Sequence, residues 1–553
     1  MDPLSSTPPP LITLSTQILH AAKNLYHRFA PILSPLTQAL YTHRHHLALS
    51  LFALYLINSL GLLKGGNMHP EAEAFIYNYL EPSRSFGEKI FDSILNDWGF
   101  YQSRELCYLT EWLDAYFVKA GILLGVPFFY SVVFYLLIAL ASYVHYRGCR
   151  THLGFSPTTA ALILAIFWFS PSIFASGYLF RTAKVGAAAC IIIMAWWLYT
   201  LLREPKTSAS SDLSPSQPPT SPARRALTAV GLFALTLAAS LFDRQGFFMM
   251  IIFWGIVAIV LILGNQRHSL LAFLSVGTAL AFAAFWNKIL SPALILYFNG
   301  YLPNMEWQRI TEADLTRYAR EIGTSPYFDG FTIFIDTLRF VLGNFGTAQT
   351  IIIILILLTY TYTLHTPSFA LRLGALTIPV RRFHCLLLGI ILLALYVMAT
   401  LMLLKHHPVG WQDMRRSYYH IPGTAVTLLI LTYIVHLVLQ HQTLKKTTVQ
   451  IILSALLLFN LIELPIHTRF YLTGHSAPRI KESKDFLVNL RNLDEDVYGP
   501  TTGFLRSNFY RYFRDEFRRF HHIPTSISTT PSPTAANASN PRESRTNSIK
   551  QAF

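Results

Sequence analysis

Runs of about twenty apolar residues, repeated along most of the chain, constrain this sequence more than any motif does. In lipid no water is present to hydrogen-bond a bare backbone, so such a run is stable only as a helix. The spacing predicts about eleven spans, over residues 47–63, 120–146, 158–176, 183–202, 226–242, 246–264, 269–287, 347–365, 383–404, 422–440 and 447–464. The pair 226–242 and 246–264 can also be read as a re-entrant hairpin around Asp243. With 52% hydrophobic and only 13% charged residues, the composition excludes an ordinary soluble domain. The expected fold class is therefore all-α and polytopic, with two helical loops, 64–119 and 288–346, on one side of the membrane.

Charge orients the spans. With the N-terminus in the cytosol, the cytosolic segments are 1–46, 147–157, 203–225, 265–268, 366–382 and 441–446, which hold fifteen Lys and Arg against three acids. The remaining twenty-six of twenty-nine acids then fall on or near the opposite side. This is the positive-inside pattern, and it holds at every short loop. The net charge of +15 belongs to helix ends facing anionic lipid, so no nucleic-acid partner is expected. No cleavable leader is expected either, because the Pro- and Ser-rich N-terminus precedes the first apolar run by some distance.

Three further regions follow from composition. Residues 1–46 form a basic cytosolic arm whose 14–42 stretch carries amphipathic helical spacing and suits the membrane surface. The stretch 203–225 contains a Pro/Ser-rich linker too poor in apolar residues to fold. The transmembrane domain runs over 47–464, and 465–553 is an amphipathic, then low-complexity, tail. The four cysteines, Cys107, Cys149, Cys190 and Cys385, do not make a disulfide framework and are expected as free thiols. His406-His407 has no acid or thiol partner at ligand spacing, so no metal site is expected.

Four polar clusters meet one membrane face on this topology. They are Asp97 to Glu105 in the acidic first loop, Phe180 to Lys184, Asp243-Arg244-Gln245, and Trp411 to Tyr419. Charges at helix mouths are costly unless they pair or face a cavity, which makes them candidates for function. A carboxylate there can take the proton of an acceptor hydroxyl, while Arg and Lys hold a phosphate. The candidate acids are Asp97, Glu73 and Glu105; the candidate phosphate or substrate contacts are Tyr101, Arg104, Arg181, Lys184, Asp243, Arg244, Arg415 and Arg416. Aromatic residues Trp98, Tyr101 and Trp411 can stack on a sugar ring.

The acidic first loop, the basic residues at later helix mouths and the second long loop resemble the GT-C class of integral-membrane glycosyltransferases, over roughly residues 45–465. Where members of that class carry paired acids early in the first loop, this chain has Glu71-Ala72-Glu73 and the single Asp97. The resemblance implies a hexosyl or pentosyl transferase, taking its sugar from a polyprenyl- or dolichyl-phosphate and acting at the non-cytosolic face. The class includes members with and without a divalent cation, which leaves that cofactor open. Membrane lipid and the lipid-linked sugar are the expected partners. The Pro/Ser/Thr-rich linker and tail favour the endoplasmic reticulum over a bacterial inner membrane.

Each residue also has a plainer reading. Asp97 can cap the helix that starts near Tyr101. Glu105, Glu111 and Asp114 share helical spacing and read as a solvated or packing face. Glu71 and Glu73 suit a surface turn, and Arg181 and Lys184 can snorkel to the interface. Asp243 and Arg244 can form an ion pair that stabilises a helix hairpin. Arg415, Arg416, Tyr418 and Tyr419 can form an interfacial belt. Two rival functions remain: a transporter or flippase for a lipid-linked or anionic solute, and a non-catalytic subunit of a membrane assembly.

Overall fold

The computed structural model describes residues 38, 79–80, 84–91, 103–124, 132–176, 182–202, 222–264, 267–300, 341–343, 351–352, 354–355, 358, 370–373, 376–379, 417–440 and 444–473. Twelve helices are used below: α1 (Phe86–Phe91), α2 (Glu105–Leu124), α3 (Val132–His152), α4 (Pro157–Trp168), α5 (Pro171–Ser176), α6 (Ala183–Leu202), α7 (Pro222–Phe242), α8 (Arg244–Gly264), α9 (Arg267–Phe285), α10 (Ser291–Asn299), α11 (Ile421–Gln440) and α12 (Lys446–Thr473). A π-turn over Trp286–Leu290 joins α9 to α10, and a 3-10 turn over Ser417–His420 leads into α11.

Seven helical stretches among the described residues are long and apolar enough to cross a membrane: α3, α6, α7, α8, α9 running on through α10, α11 and α12. The chain is thus a helical, multi-pass membrane protein. The expected spans 47–63 and 383–404, with most of 347–365, lie outside the described residues, as do the arm 1–37, the linker 203–221 and the tail beyond Thr473.

Several expected boundaries change. The stretch 158–176 is not one span but two helices, α4 and α5, separated at Phe169–Ser170. Pro171 explains the break, because it has no N–H to donate back into α4 and disfavours a helical Ser170. At twelve residues, α4 alone is shorter than the roughly twenty a bilayer requires. The stretch 120–146 likewise corresponds to the end of α2 and most of α3. The second long loop begins after Asn299 rather than at 288, since the π-turn and α10 carry the helix onward. At its far end α12 runs to Thr473, past the expected start of the tail at 465. One small departure from the all-α class is an antiparallel pair, β1 (Ala370–Leu373) and β2 (Leu376–Pro379), inside the expected cytosolic loop 366–382.

At the centre of the bundle lies α6, packed by α3, α7, α8 and α11. Its Gly186-Ala187-Ala188-Ala189 run explains how so many neighbours fit, because small side chains let helix backbones approach closely where lipid supplies no hydrophobic drive. His145 on α3 ties three of these helices together. Trp196 Nε1 on α6 donates to His145 Nδ1 at 3.0 Å, and His145 Nε2 lies 3.0 Å from Thr432 Oγ1 on α11. An indole can only donate, so Nδ1 is the acceptor and Nε2 carries the proton. Thr432 passes the chain on to the Leu428 carbonyl at 2.8 Å. Every member of this buried network is satisfied, which is what polar groups at bundle depth require.

The α7–α8 hairpin depends on one glycine. A Cβ on Gly246 would stand 2.2 Å from the backbone oxygen of Ala239 and 3.2 Å from Ala187 Cβ on α6. That oxygen belongs to α7 and also accepts from Asp243 N at 3.2 Å. Gly246→Ala therefore meets backbone, which cannot rotate away, and should cost about 3 kcal/mol, the upper part of the overpacking range. Heat- or SDS-induced unfolding in mixed micelles would measure it; an unchanged midpoint would show that the hairpin is looser than this contact implies.

Candidate functional site

Four helices begin at one place. Arg104 immediately precedes α2, Lys184 is the second residue of α6, Asp243 separates α7 from α8, and Tyr419 lies in the turn before α11. Asp243 is the centre. Lys184 Nζ donates to its Oδ1 at 2.6 Å, and Arg104 Nε lies 3.5 Å from its Oδ2. All three side chains are buried. The Lys184 ammonium also sits 5.0 Å from the centre of the Tyr419 ring, a cation–π distance.

Asp243 interrupts an otherwise continuous helical hairpin for a local reason. Its Oδ1 accepts from the Gln245 backbone N–H at 2.9 Å, so the same carboxylate caps α8 and holds Lys184. Burial raises the affinity of the Asp243 carboxyl for a proton. The charges of Lys184 and then Arg104, with the Lys184 and Gln245 hydrogen bonds, outweigh burial and hold it well below the usual carboxylate range. The starts of α2, α6, α8 and α11 add aligned backbone dipoles, each worth about half a positive charge at its N-terminus. The cluster is a carboxylate held among cations and helix starts, a setting able to receive a further anion.

The reading of Asp243 and Arg244 as an ion pair is not what forms. Asp243 takes Lys184 and Arg104, while Arg244 is part-exposed at the start of α8. Successive helical residues are turned by about 100°, so neighbours in sequence leave the helix on different faces. Lys184 is likewise not snorkelling but buried and paired.

Glu105, Glu111 and Asp114 are packing residues, and the solvated version of that reading is overturned: all three are buried. Glu105 accepts from Ser103 Oγ at 3.0 Å and from Ser291 Oγ at 2.5 Å, joining the start of α2 to the start of α10. Burial pushes its carboxyl up, against the hydrogen bond from Ser291. Ser291 reaches it through the π-turn: its N–H bonds back to Trp286 O, and Pro292, with no N–H, cannot restore the α register at the next residue. Glu111 accepts from Tyr79 Oη at 3.1 Å and Cys107 Sγ at 3.0 Å. Thr110 and Thr182 hydroxyls meet at 2.5 Å, linking α2 to the residue before α6.

Asp114 accepts from Val133 N at 2.7 Å and so caps α3 from another helix. Burial, its largest influence, pushes its carboxyl up to about 7. Elsewhere on its surface α2 exposes Leu113, Tyr116 and Phe117. A helix with acids inward and large apolar groups outward is costly against water and suited to lipid.

Asp114 makes a pH prediction. Its folded pKa lies above the unfolded value near 4, so the folded state binds the proton more tightly. Its contribution is greatest below about pH 4 and is lost as pH rises towards 7. Asp114→Asn should flatten the stability profile over that window, a change of a few kcal/mol seen as melting temperature against pH in micelles. A wild-type profile already flat there would overturn it.

Of the other residues expected at the site, Glu73, Asp97, Tyr101, Arg181, Arg415 and Arg416 lie outside the described residues. Sequence reasoning passed over Gln245 and Ser291 as individual site residues and placed Tyr419 in an interfacial belt. Gln245 lay within a cluster already singled out, and Ser291-Pro292 is a helix-start signal inside an apparently apolar run. Among the described residues no group of three His, Cys, Asp or Glu is placed to hold a metal ion. The three described cysteines, Cys107, Cys149 and Cys190, are buried and unbridged. No protein-family model, no curated protein and no solved structure matches the chain.

Proposed function

We propose that the protein is a membrane glycosyltransferase, moving a sugar from a polyprenyl- or dolichyl-phosphate to a hydroxyl acceptor at the non-cytosolic face, with the endoplasmic reticulum the favoured membrane. The observation that carries this reading is the buried Arg104–Asp243–Lys184 cluster, where four helix starts and four separated polar segments meet. The reaction is one inverting displacement. The acceptor oxygen bonds to the anomeric carbon as the bond from that carbon to the phosphate oxygen breaks. The acceptor proton passes to a loop carboxylate, Asp97 or Glu73.

Negative charge grows on the departing lipid phosphate, so cations fixed beforehand favour the transition state over the ground state. Lys184 and Arg104 are assigned that task, with Arg181, Arg244, Arg415 and Arg416 as further phosphate contacts. Asp243 is a positioning residue that keeps Lys184 charged and in place. Glu105, whose oxygens already receive two serine hydroxyls, serves as a clasp rather than the base.

A transporter or flippase is the second reading, supported by the broken pair α4–α5, whose α5 packs against the turn that holds Tyr419. The two are separated by profiling glycans and lipid-linked sugars in cells lacking the protein, with and without wild-type rescue, and by assaying sugar transfer with the purified protein. A sugar that disappears, returns with wild type and is transferred by the purified protein supports the enzyme. Restored cells with no transfer in vitro favour transport, and an unchanged profile overturns both.

A further inference from the structure

Gln245, among the described residues of the cluster, has an amide held at one end and open at the other. It is 5% exposed. Its backbone N–H is fixed on Asp243 Oδ1 at 2.9 Å, and its Nε2 donates to the Tyr419 carbonyl at 3.1 Å. A carbonyl can only accept, so the amide nitrogen must face Tyr419 and the amide oxygen is the remaining end. That oxygen, Oε1, is buried and has no hydrogen-bond partner among the described residues, and Asp243 Oδ2 of the same cluster accepts no hydrogen bond among them either. Buried acceptors are rarely left unmade, because their lost hydration is not returned. The cations and helix starts around them call for an anion, but an anion without a proton cannot satisfy an acceptor. A ligand that does both carries an O–H next to a phosphate.

We propose that Gln245 Oε1 accepts a hydrogen bond from a hydroxyl of the sugar on the lipid phosphate. Gln245 thereby reads the glycosyl group, while Lys184 and Arg104 read the phosphate common to every such lipid. This rests on the lipid-phosphate reading above and adds to it the residue that tells a glycosylated donor from the bare carrier. A site built to accept a hydroxyl discriminates against ligands lacking it, because its own polar group is then left unpaired.

The test uses the full-length protein in lipid nanodiscs and two kinds of probe: farnesyl phosphate, and farnesyl phosphate carrying mannose, glucose or arabinose. Wild type should bind at least one glycosylated probe about tenfold more tightly than farnesyl phosphate, the size of one buried hydrogen bond. Gln245→Met should remove that preference and leave the affinity for farnesyl phosphate within about twofold. Gln245→Glu keeps an acceptor oxygen but loses the bond to Tyr419, so it should retain the preference; it also decides the question if the Met variant does not fold. A Met variant that keeps the preference, or two variants that weaken both probes alike, overturns the assignment and makes Gln245 only a clasp on Tyr419. Phosphate binding with no sugar preference in wild type overturns the Gln245 assignment alone. A wild type that binds neither probe overturns the lipid-phosphate reading, and this assignment with it.

Discussion

Lys184→Met should destabilise the protein by about 3 kcal/mol at neutral pH, because it strands a buried carboxylate. Among the described residues Asp243 would keep the Gln245 N–H and one cation, Arg104, whose Nε is 3.5 Å away, in place of a 2.6 Å contact with an ammonium. Removing one partner of a buried pair costs more than the pair itself contributes, since the survivor remains desolvated and charged. The pH dependence gives a second, independent signature. In wild type the folded pKa of Asp243 is depressed, so its contribution is present above the unfolded value near 4 and fades as pH falls towards the folded one. Without Lys184 the same carboxyl can be relieved by taking a proton, so the variant's deficit should shrink as pH is lowered. The two stability curves should converge in acid. Asp243→Asn combined with Lys184→Met should be milder than the sum of the single changes, as coupled partners require. Equal additive losses with no pH dependence would show that the contact is not an energetic pair.

Asp97→Asn should abolish sugar transfer while leaving the protein equally abundant. General-base catalysis is worth roughly 10²–10⁴-fold, and an amide cannot take the acceptor's proton. The measurement is the transfer rate in membranes from cells lacking the protein, rescued with wild type or the variant, normalised to protein amount. Full activity in the variant would assign Asp97 to a helix cap and move the base to Glu73.

The sequence alone determined the membrane class, and the expected orientation rests on its charge pattern. Twenty-residue apolar runs have one solution in lipid, and the sided distribution of Lys and Arg needs no fold to be read. It also named the four polar segments, each of which contributes to the cluster: Arg104, Lys184, Asp243 with Gln245, and Tyr419. Helix ends were less secure, and the Pro171 break was legible in principle but was hidden by the apolar residues on both sides of it. The tertiary structure decided who pairs with whom. Spacing along a chain says nothing about partners fifty-nine residues apart, so Asp243 looked like the partner of Arg244 and is that of Lys184. It also decided which way α2 turns. At about 100° per residue Glu105 and Asp114 leave α2 half a turn apart, so whether each acid meets water or protein depends on what packs against it. Each acid is covered by its own neighbour, Glu105 by Ser291, Glu111 by Tyr79 and Asp114 by the start of α3.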